Sequence, residues 1–161
     1  ARLEQFELIN EKLIAIHMVH LNPNEIQLIK EKQAHIVHCP QANLKLGSGI
    51  APIKQILDNE INIALGTDGA ASNNDLDLFS EMQTAALLAK GSSQDPTTLP
   101  AHTALEMVTI NAASALGLAY ITFWNLPCSI SSALFISLAL RNLLKVSKVI
   151  LGFLLSSLFL R

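Results

Sequence analysis

The sequence predicts an α/β protein built on a parallel sheet, in which short apolar strands alternate with amphipathic helices. Three observations carry that expectation. Apolar runs recur at residues 13–16, 35–39 and 61–65, each too short for a helix of ordinary length. Each run is apolar on both faces, the pattern of a parallel strand that is covered on two sides. A segment with helix chemistry follows each run, so the order strand-helix repeats. Two architectures satisfy this alternation, an open doubly wound sheet and a closed eight-stranded barrel, and both collect ligand chemistry at the carboxyl ends of the strands.

The elements follow in order. Residues 3–12 read as the end of an amphipathic helix, with Leu3, Phe6 and Ile9 near helical spacing, and residues 13–16 as a buried strand that ends at His17. Asn22-Pro23-Asn24-Glu25 is a helix start: Asn22 caps, Pro23 occupies the first turn, and Glu25 stands three residues after the cap, ahead of Ile26, Leu28 and Ile29. Residues 35–39 form the second strand, 52–57 the next helix and 61–65 the third strand. Helices are expected at 75–90 and 100–116, with a loop over 92–98.

Composition changes sharply near Ala119. All 13 acidic residues lie between Glu4 and Glu106, and residues 119–161 contain none, with Arg141, Lys145, Lys148 and Arg161 as their only charges. Two domains are therefore expected: a folded unit at 1–118 and an atypical apolar tail at 119–161, read as disordered or translated out of frame. The apolar stretches of the tail fall short of the ~20 residues that a membrane-spanning helix needs, which argues against a membrane anchor. A formal charge of −2 without a basic stripe argues against a nucleic-acid partner. Cys39 and Cys128 are far apart and form no C-x-x-C pair, so a reducing cytoplasm is the expected location. No signal-peptide core and no initiating methionine stand at the start, and the sequence is expected to begin inside a larger polypeptide.

Asp68 is the leading candidate for chemistry. It follows a buried strand in Gly66-Thr67-Asp68-Gly69, where a carboxylate is costly to leave unpaired. Two jobs fit it: binding a metal ion, or capping the following turn, as Asp before Gly often does. His17 ends its strand in the same way and has the side chain suited to general acid–base work, although a satisfied structural histidine occupies such a position equally well. The pairs His17/His20 and His35/His38 are each three apart, so on a strand their members face opposite ways and neither pair chelates an ion. His38 is read as lining the pocket, His20 as rim, His35 as the strand entrance and Cys39 as an inert buried thiol. The turns Gly47-Ser48-Gly49 and Ser72-Asn73-Asn74 are read as rim loops; neither has the spacing of a P-loop or dinucleotide fingerprint.

The segments His17-Met18-Val19-His20-Leu21, Val37-His38-Cys39-Pro40-Gln41-Ala42-Asn43-Leu44-Lys45-Leu46-Gly47-Ser48-Gly49-Ile50-Ala51-Pro52 and Leu65-Gly66-Thr67-Asp68-Gly69-Ala70-Ala71-Ser72-Asn73-Asn74, with Glu81-Met82 and Lys90, resemble the amidohydrolase superfamily. Within it the likeness is to the methylthioadenosine/S-adenosylhomocysteine deaminases. The resemblance implies a TIM-like (β/α)8 metal-dependent hydrolase barrel, of which residues 1–118 would supply about the last three strands. It also implies zinc-dependent hydrolytic deamination of an adenosine-type nucleoside. Asp68 matches the aspartate that binds the metal, meets the substrate and shuttles the proton, and His17 matches the catalytic histidine after the sixth strand. The H-x-H pair, the further histidine and the upstream substrate contacts of the family have no counterpart here.

One aspartate cannot hold a catalytic zinc ion that takes three or more protein ligands, so the polypeptide is expected to be inactive alone. A complementing N-terminal half or a homo-oligomer would be its partner, and a small nucleoside its substrate. Two other readings stand beside this one: a non-catalytic gene remnant, and a related amidohydrolase acting on another aminated or chlorinated ring.

Overall fold

A computed structural model describes residues 2–118. Its centre is a three-stranded parallel sheet in the order β1 (Ile14–Ile16), β2 (His35–His38), β3 (Ile63–Leu65). Ile14, Ala15 and Ile16 pair with His35, Ile36 and Val37, while Ile36, Val37 and His38 pair with Ile63, Ala64 and Leu65. The strands are the expected ones, shortened by one or two residues. The first helix differs more: α1 covers only Arg2–Gln5, because Glu7 turns into the left-handed region at φ +55° and Leu8 N–H closes back on the Leu3 carbonyl. Of the face that was to pack, Leu3 and Phe6 are exposed, whereas Ile9 is partly buried against the core.

The first crossover, α2 (Pro23–Glu31), forms as expected. Asn22 Oδ1 accepts the Glu25 N–H at 3.0 Å, and Glu25 Oε2 accepts the Asn22 N–H at 3.0 Å, a reciprocal capping box with Pro23 in the first turn. The next crossover holds two short helices. Helix α3 (Pro40–Lys45) is unannounced by the sequence pattern, since Cys39 offers it no side-chain cap; α4 (Ile53–Asp58) is the expected one. Helix α5 (Leu78–Ser93) starts later than residue 75 because side chains capture the backbone first. Asn73 Oδ1 accepts from Asp75 and Leu76 N–H, Asp75 accepts from Asp77 N–H, and Asp77 caps the helix through Phe79 N–H. The single helix expected at 100–116 is two, α6 (Ala101–Val108) and α7 (Ile110–Ala115). They break at Thr109 (φ −123°, ψ −91°), whose hydroxyl bonds the Leu105 carbonyl at 2.6 Å.

Strand alternation decides where the core lies. Ile36, Ile63 and Leu65 share a face and pack with Ile26 and Ile29 of α2, Ile53 and Ile56 of α4, Ala85 and Ala89 of α5, and Ala104 and Met107 of α6. Each fully buried isoleucine contributes roughly 1.5–3 kcal/mol relative to exposure. On the opposite face Val37 is half-buried and Ile16 is 53% exposed. Helices therefore cover one face of the sheet, and β1 is a partly exposed edge strand instead of the buried one expected. Among the described residues no helix is long and apolar enough to cross a membrane. The expectations for residues 119–161 lie outside the described residues.

Candidate active site

The carboxyl ends of β1 and β3 bring together the two residues singled out for chemistry. His17 Nε2 stands 3.8 Å from Asp68 Oδ2, and the two side chains are 39% and 33% exposed. Both residues, and Met18 beside the first, hold positive φ: +72° at His17, +44° at Met18 and +62° at Asp68. Such backbone costs about 1–3 kcal/mol per residue and persists where the surroundings impose it. At His17 it re-aims the ring at the moment the strand ends. The His17 N–H still donates to the Val37 carbonyl at 2.9 Å, so the ring turns while the backbone stays in register.

Asp68 is more exposed than its place after a buried strand implies. The strand β3 is fully buried, but the positive φ two residues past Gly66 lifts the carboxylate out of the layer. Its oxygens are satisfied locally: Oδ1 accepts the Gly69 N–H at 2.8 Å and Oδ2 accepts the Ser72 hydroxyl at 2.8 Å. The turn-capping job is thus realised, and Oδ2 in addition faces His17. Gly66 packs closely beneath; a Cβ there would meet Val37 Cγ1 at 3.0 Å and Cys39 Sγ at 3.4 Å.

The other candidates separate into distinct roles. His35 Nδ1 lies 3.0 Å from the Asn62 side-chain amide at the entrance of the strand. His20 is exposed at the rim, where Gly49 passes it with φ +117°, a conformation that requires glycine. Cys39 is a buried free thiol pushed up to about 12, first by burial and then by the charges of Asp68 and Glu81. His38 is buried behind the sheet at 1% exposure. Burial, reinforced by the neighbouring His17, lowers its pKa to about 4, and neither of its ring nitrogens has a hydrogen-bond partner among the described residues. His17 Nδ1 is likewise buried and without a partner among the described residues.

Beneath the rim loops lies a polar cluster that reasoning from sequence did not assign a role. Glu81 is 0% exposed; its Oε1 accepts the Asn73 amide at 2.6 Å and its Oε2 accepts the Gln41 N–H at 3.2 Å. Burial raises its carboxyl above the usual range, against the lowering effect of those two donors. The signal was present: Glu81 shares a helix face with the buried Ala85 and Ala89, at spacings of four and eight. Lys45 adds a second tie, its Nζ donating to Asn74 Oδ1 at 2.7 Å and to the Ala71 carbonyl at 3.2 Å. Ser72-Asn73-Asn74 is therefore held by internal bonds.

The described residues do not make a zinc site by themselves. No group of three or more His, Cys, Asp and Glu side chains among them is placed to hold a metal ion, and both Asp68 oxygens already accept protein hydrogen bonds. Zinc takes three or four protein ligands.

Comparison with known proteins bears on this arrangement. Residues 1–121 match the amidohydrolase family. The chain is 52% identical over 118 residues to a 5-methylthioadenosine/S-adenosylhomocysteine deaminase of Moorella thermoacetica, covering 73% of this chain and 28% of that protein. It is 49% identical over 116 residues to a 5'-deoxyadenosine deaminase of Methanosphaera stadtmanae, covering 72% of this chain and 27% of the relative. A crystal structure of an adenosine deaminase from Xanthomonas campestris with bound zinc superposes with a TM-score of 0.71 at 50% identity, over 73% of this chain and 27% of that one. The chain thus spans little more than a quarter of the length of these relatives, and its three-stranded sheet corresponds to part of their TIM-like barrel.

Proposed function

The chain belongs to the amidohydrolase family, and from that premise we propose that it carries the His17 and Asp68 part of a hydrolytic deaminase for adenosine-type nucleosides, S-adenosylhomocysteine and 5'-methylthioadenosine. The convergence of His17 Nε2 and Asp68 Oδ2 at 3.8 Å, on two strand ends with left-handed backbone, carries the reading. Identity near 50% to relatives named as nucleoside deaminases supports the substrate class.

Exchange of an aromatic amino group for water needs one proton removed from the water and one delivered to the departing nitrogen, which leaves as ammonia. Asp68 can do both, because its side chain is partly exposed and its Oδ2 accepts only the Ser72 hydroxyl, with the His17 imidazole 3.8 Å away. His17 presents Nε2 to the same oxygen, where it can steady the carboxylate or hold the proton in transit. Positioned acid–base groups of this kind contribute about 10²–10⁴ in rate. Zinc is the proposed cofactor of the assembled enzyme, with Asp68 as one ligand. The other ligands would come from polypeptide beyond residues 2–118, supplied by a complementing N-terminal half. The chain alone is then inactive.

Two measurements test this. Purified alone, the chain should hold no stoichiometric zinc and release no ammonia from S-adenosylhomocysteine; zinc with turnover would sink the claim that the site needs more polypeptide. In a chimera whose residues 1–118 replace the matching part of the Moorella thermoacetica relative, deamination should appear. There Asp68→Asn should abolish it and His17→Ala should lower kcat by about 10²–10⁴. A chimera that folds and binds zinc without deaminating any adenosine-type nucleoside would overturn the reading.

A further inference from the structure

The loop that follows β3 hangs from a carboxylate that the deaminase reading does not use. Glu81 is enclosed in α5, and the Asn73 side chain whose amide it accepts at 2.6 Å belongs to a residue only 2% exposed. From Asn73 a run of hydrogen bonds leads back to Asp68. The Ser72 and Asn73 N–H groups both donate to the Gly69 carbonyl at 3.0 Å. The Ser72 hydroxyl donates to Asp68 Oδ2 at 2.8 Å, and the Gly69 N–H donates to Asp68 Oδ1 at 2.8 Å. Residues 68–73 thus form one bonded turn, buried at Asn73 and partly exposed at the Asp68 carboxylate.

The strength of each tie on this turn follows from its burial. Lys45 reaches the Ala71 carbonyl and Asn74 Oδ1 from an exposed position, where water can replace a lost partner. The bond from Asn73 to Glu81 is buried, and there a donor left without its acceptor bears the full cost of its desolvation. Glu81 is itself fixed on a second side: its Oε2 accepts the Gln41 N–H at 3.2 Å, and the Gln41 side chain donates to Ser80 Oγ at 2.6 Å on the same helix. One carboxylate therefore joins the segment that leaves β2 and the segment that leaves β3 to the first turns of α5. The left-handed backbone of Asp68, at φ +62°, is the kind of conformation that persists only where its surroundings over-determine it.

We infer that Glu81 is a positioning residue: by anchoring Asn73 it fixes the 68–73 turn and so sets where the Asp68 carboxylate stands at the strand ends. Its effect on turnover rests on the proposed deaminase reading. The coupling between Glu81 and the Asp68 turn does not.

Two variants probe the coupling. Glu81→Gln keeps the shape of the side chain but has one acceptor oxygen for two donors, so Asn73 and Gln41 cannot both keep their bonds. Combining Glu81→Gln with Asn73→Asp reverses the bond. The new amide accepts the Gln41 N–H through its oxygen and donates to the carboxylate at position 73, whose other oxygen still accepts from the Asp75 and Leu76 N–H groups.

Amide ¹H–¹⁵N spectra and hydrogen exchange of the full 161-residue chain are the readout. In the wild type the Gly69, Ser72 and Asn73 N–H groups should be protected together with the Asn73 side-chain amide, as one opening unit. In Glu81→Gln the Gly69 and Ser72 signals should shift and their exchange should quicken by roughly 5–150-fold, the range set by the loss of one buried acceptor, while Ile36 and Ala64 in the sheet stay unchanged. The double variant should return them to the wild-type pattern. Changes in Glu81→Gln confined to Gln41 and Asn73 would overturn the inference, as would a folded double variant with Gly69 and Ser72 still displaced. So would a wild-type Gly69 N–H that exchanges freely while the Asn73 amide is protected, and that observation requires no variant to fold. In an active chimera Glu81→Gln should lower kcat per folded, zinc-loaded enzyme by up to about 10²-fold, and the double variant should recover it. A residue that only stabilises would lower the melting temperature and leave that kcat unchanged, which would also overturn the positioning role. An inactive chimera whose turn still moves with Glu81 would defeat the deaminase reading and leave the coupling standing.

Discussion

Two polar groups buried within one small fold are treated in opposite ways. Glu81 is fully enclosed, and each carboxylate oxygen meets a donor from a different segment, Asn73 from the loop after β3 and Gln41 from the start of α3. His38 is equally enclosed and meets none among the described residues, beside a His17 whose Nδ1 also has no partner among them. The first group fastens the rim loops to α5 and is complete within residues 2–118. The second lies against the strand ends where backbone is held at positive φ, and its bonding capacity is unspent. Satisfied burial here marks architecture, whereas of the buried polar side-chain atoms without a partner among the described residues, three belong to His17 and His38 at the strand ends and the fourth is Asn43 Nδ2 in α3.

Breaking the satisfied cluster should have the largest effect on stability. Glu81→Ala strips a part-buried main-chain N–H and a buried amide of their acceptor, and orphaned donors of this kind cost about 1–3 kcal/mol each. The expected loss is roughly 3–5 kcal/mol in urea denaturation, with Lys45 and Asn74 left to hold the loop alone. Asn73→Ala, which removes one of the two donors and its own caps of Asp75 and Leu76, should cost less. If both variants melted like the wild type, Glu81 would not fasten the rim loops.

The unsatisfied group should declare itself through pH. His38 has a folded pKa near 4 against an ordinary value near 6.5, so the unfolded chain binds more protons between those limits. Stability is then at its plateau above about pH 6.5 and falls as pH drops through that window, by at most about 3 kcal/mol for a shift of this size. Glu81 carries the opposite sign: its raised pKa adds stability below the ordinary carboxylate range that is lost as pH rises through its folded value. His38→Phe separates the two, and should flatten the slope between pH 6.5 and 4 while leaving the Glu81 contribution in place. An unchanged slope in that variant would show that the acid sensitivity arises elsewhere.

What sequence reasoning could see depended on how local each cause was. Asn22, Pro23 and Glu25 specify the start of α2 within four residues, and that helix stands as expected. The three strands were visible because their apolar runs are short and lie between turn residues. The break at Thr109 was hidden, since it turns on one hydroxyl taking the Leu105 carbonyl. Helix α3 was hidden too, being six residues long and without a side-chain cap. For the site, reading from strand ends found His17 and Asp68, but their approach to 3.8 Å arises from strand register and from φ values that no local pattern announces. The same φ at Asp68 explains why a residue expected to be buried is exposed. His38, read from sequence as lining the pocket, is enclosed instead, and Glu81, which entered only through the family resemblance, was otherwise legible as a polar side chain at the spacing of buried apolar neighbours.

The smallest effect sharpens the contrast best. Ser72→Ala removes a donor from a carboxylate, as Asn73→Ala does one residue away, but the carboxylate is Asp68 and water can replace the lost hydroxyl. Asp68 keeps the Gly69 N–H at 2.8 Å, and no buried atom is orphaned. Losses at solvated positions of this kind are within about 0.5 kcal/mol, below the effect of any change at Glu81. Urea midpoints of the two variants, measured side by side, should therefore separate clearly although the residues are adjacent. Equal losses would mean that Asp68 is as enclosed in solution as Glu81. The 3.8 Å approach of His17 would then belong to a closed ion pair, and the carboxylate would not be open to a nucleoside.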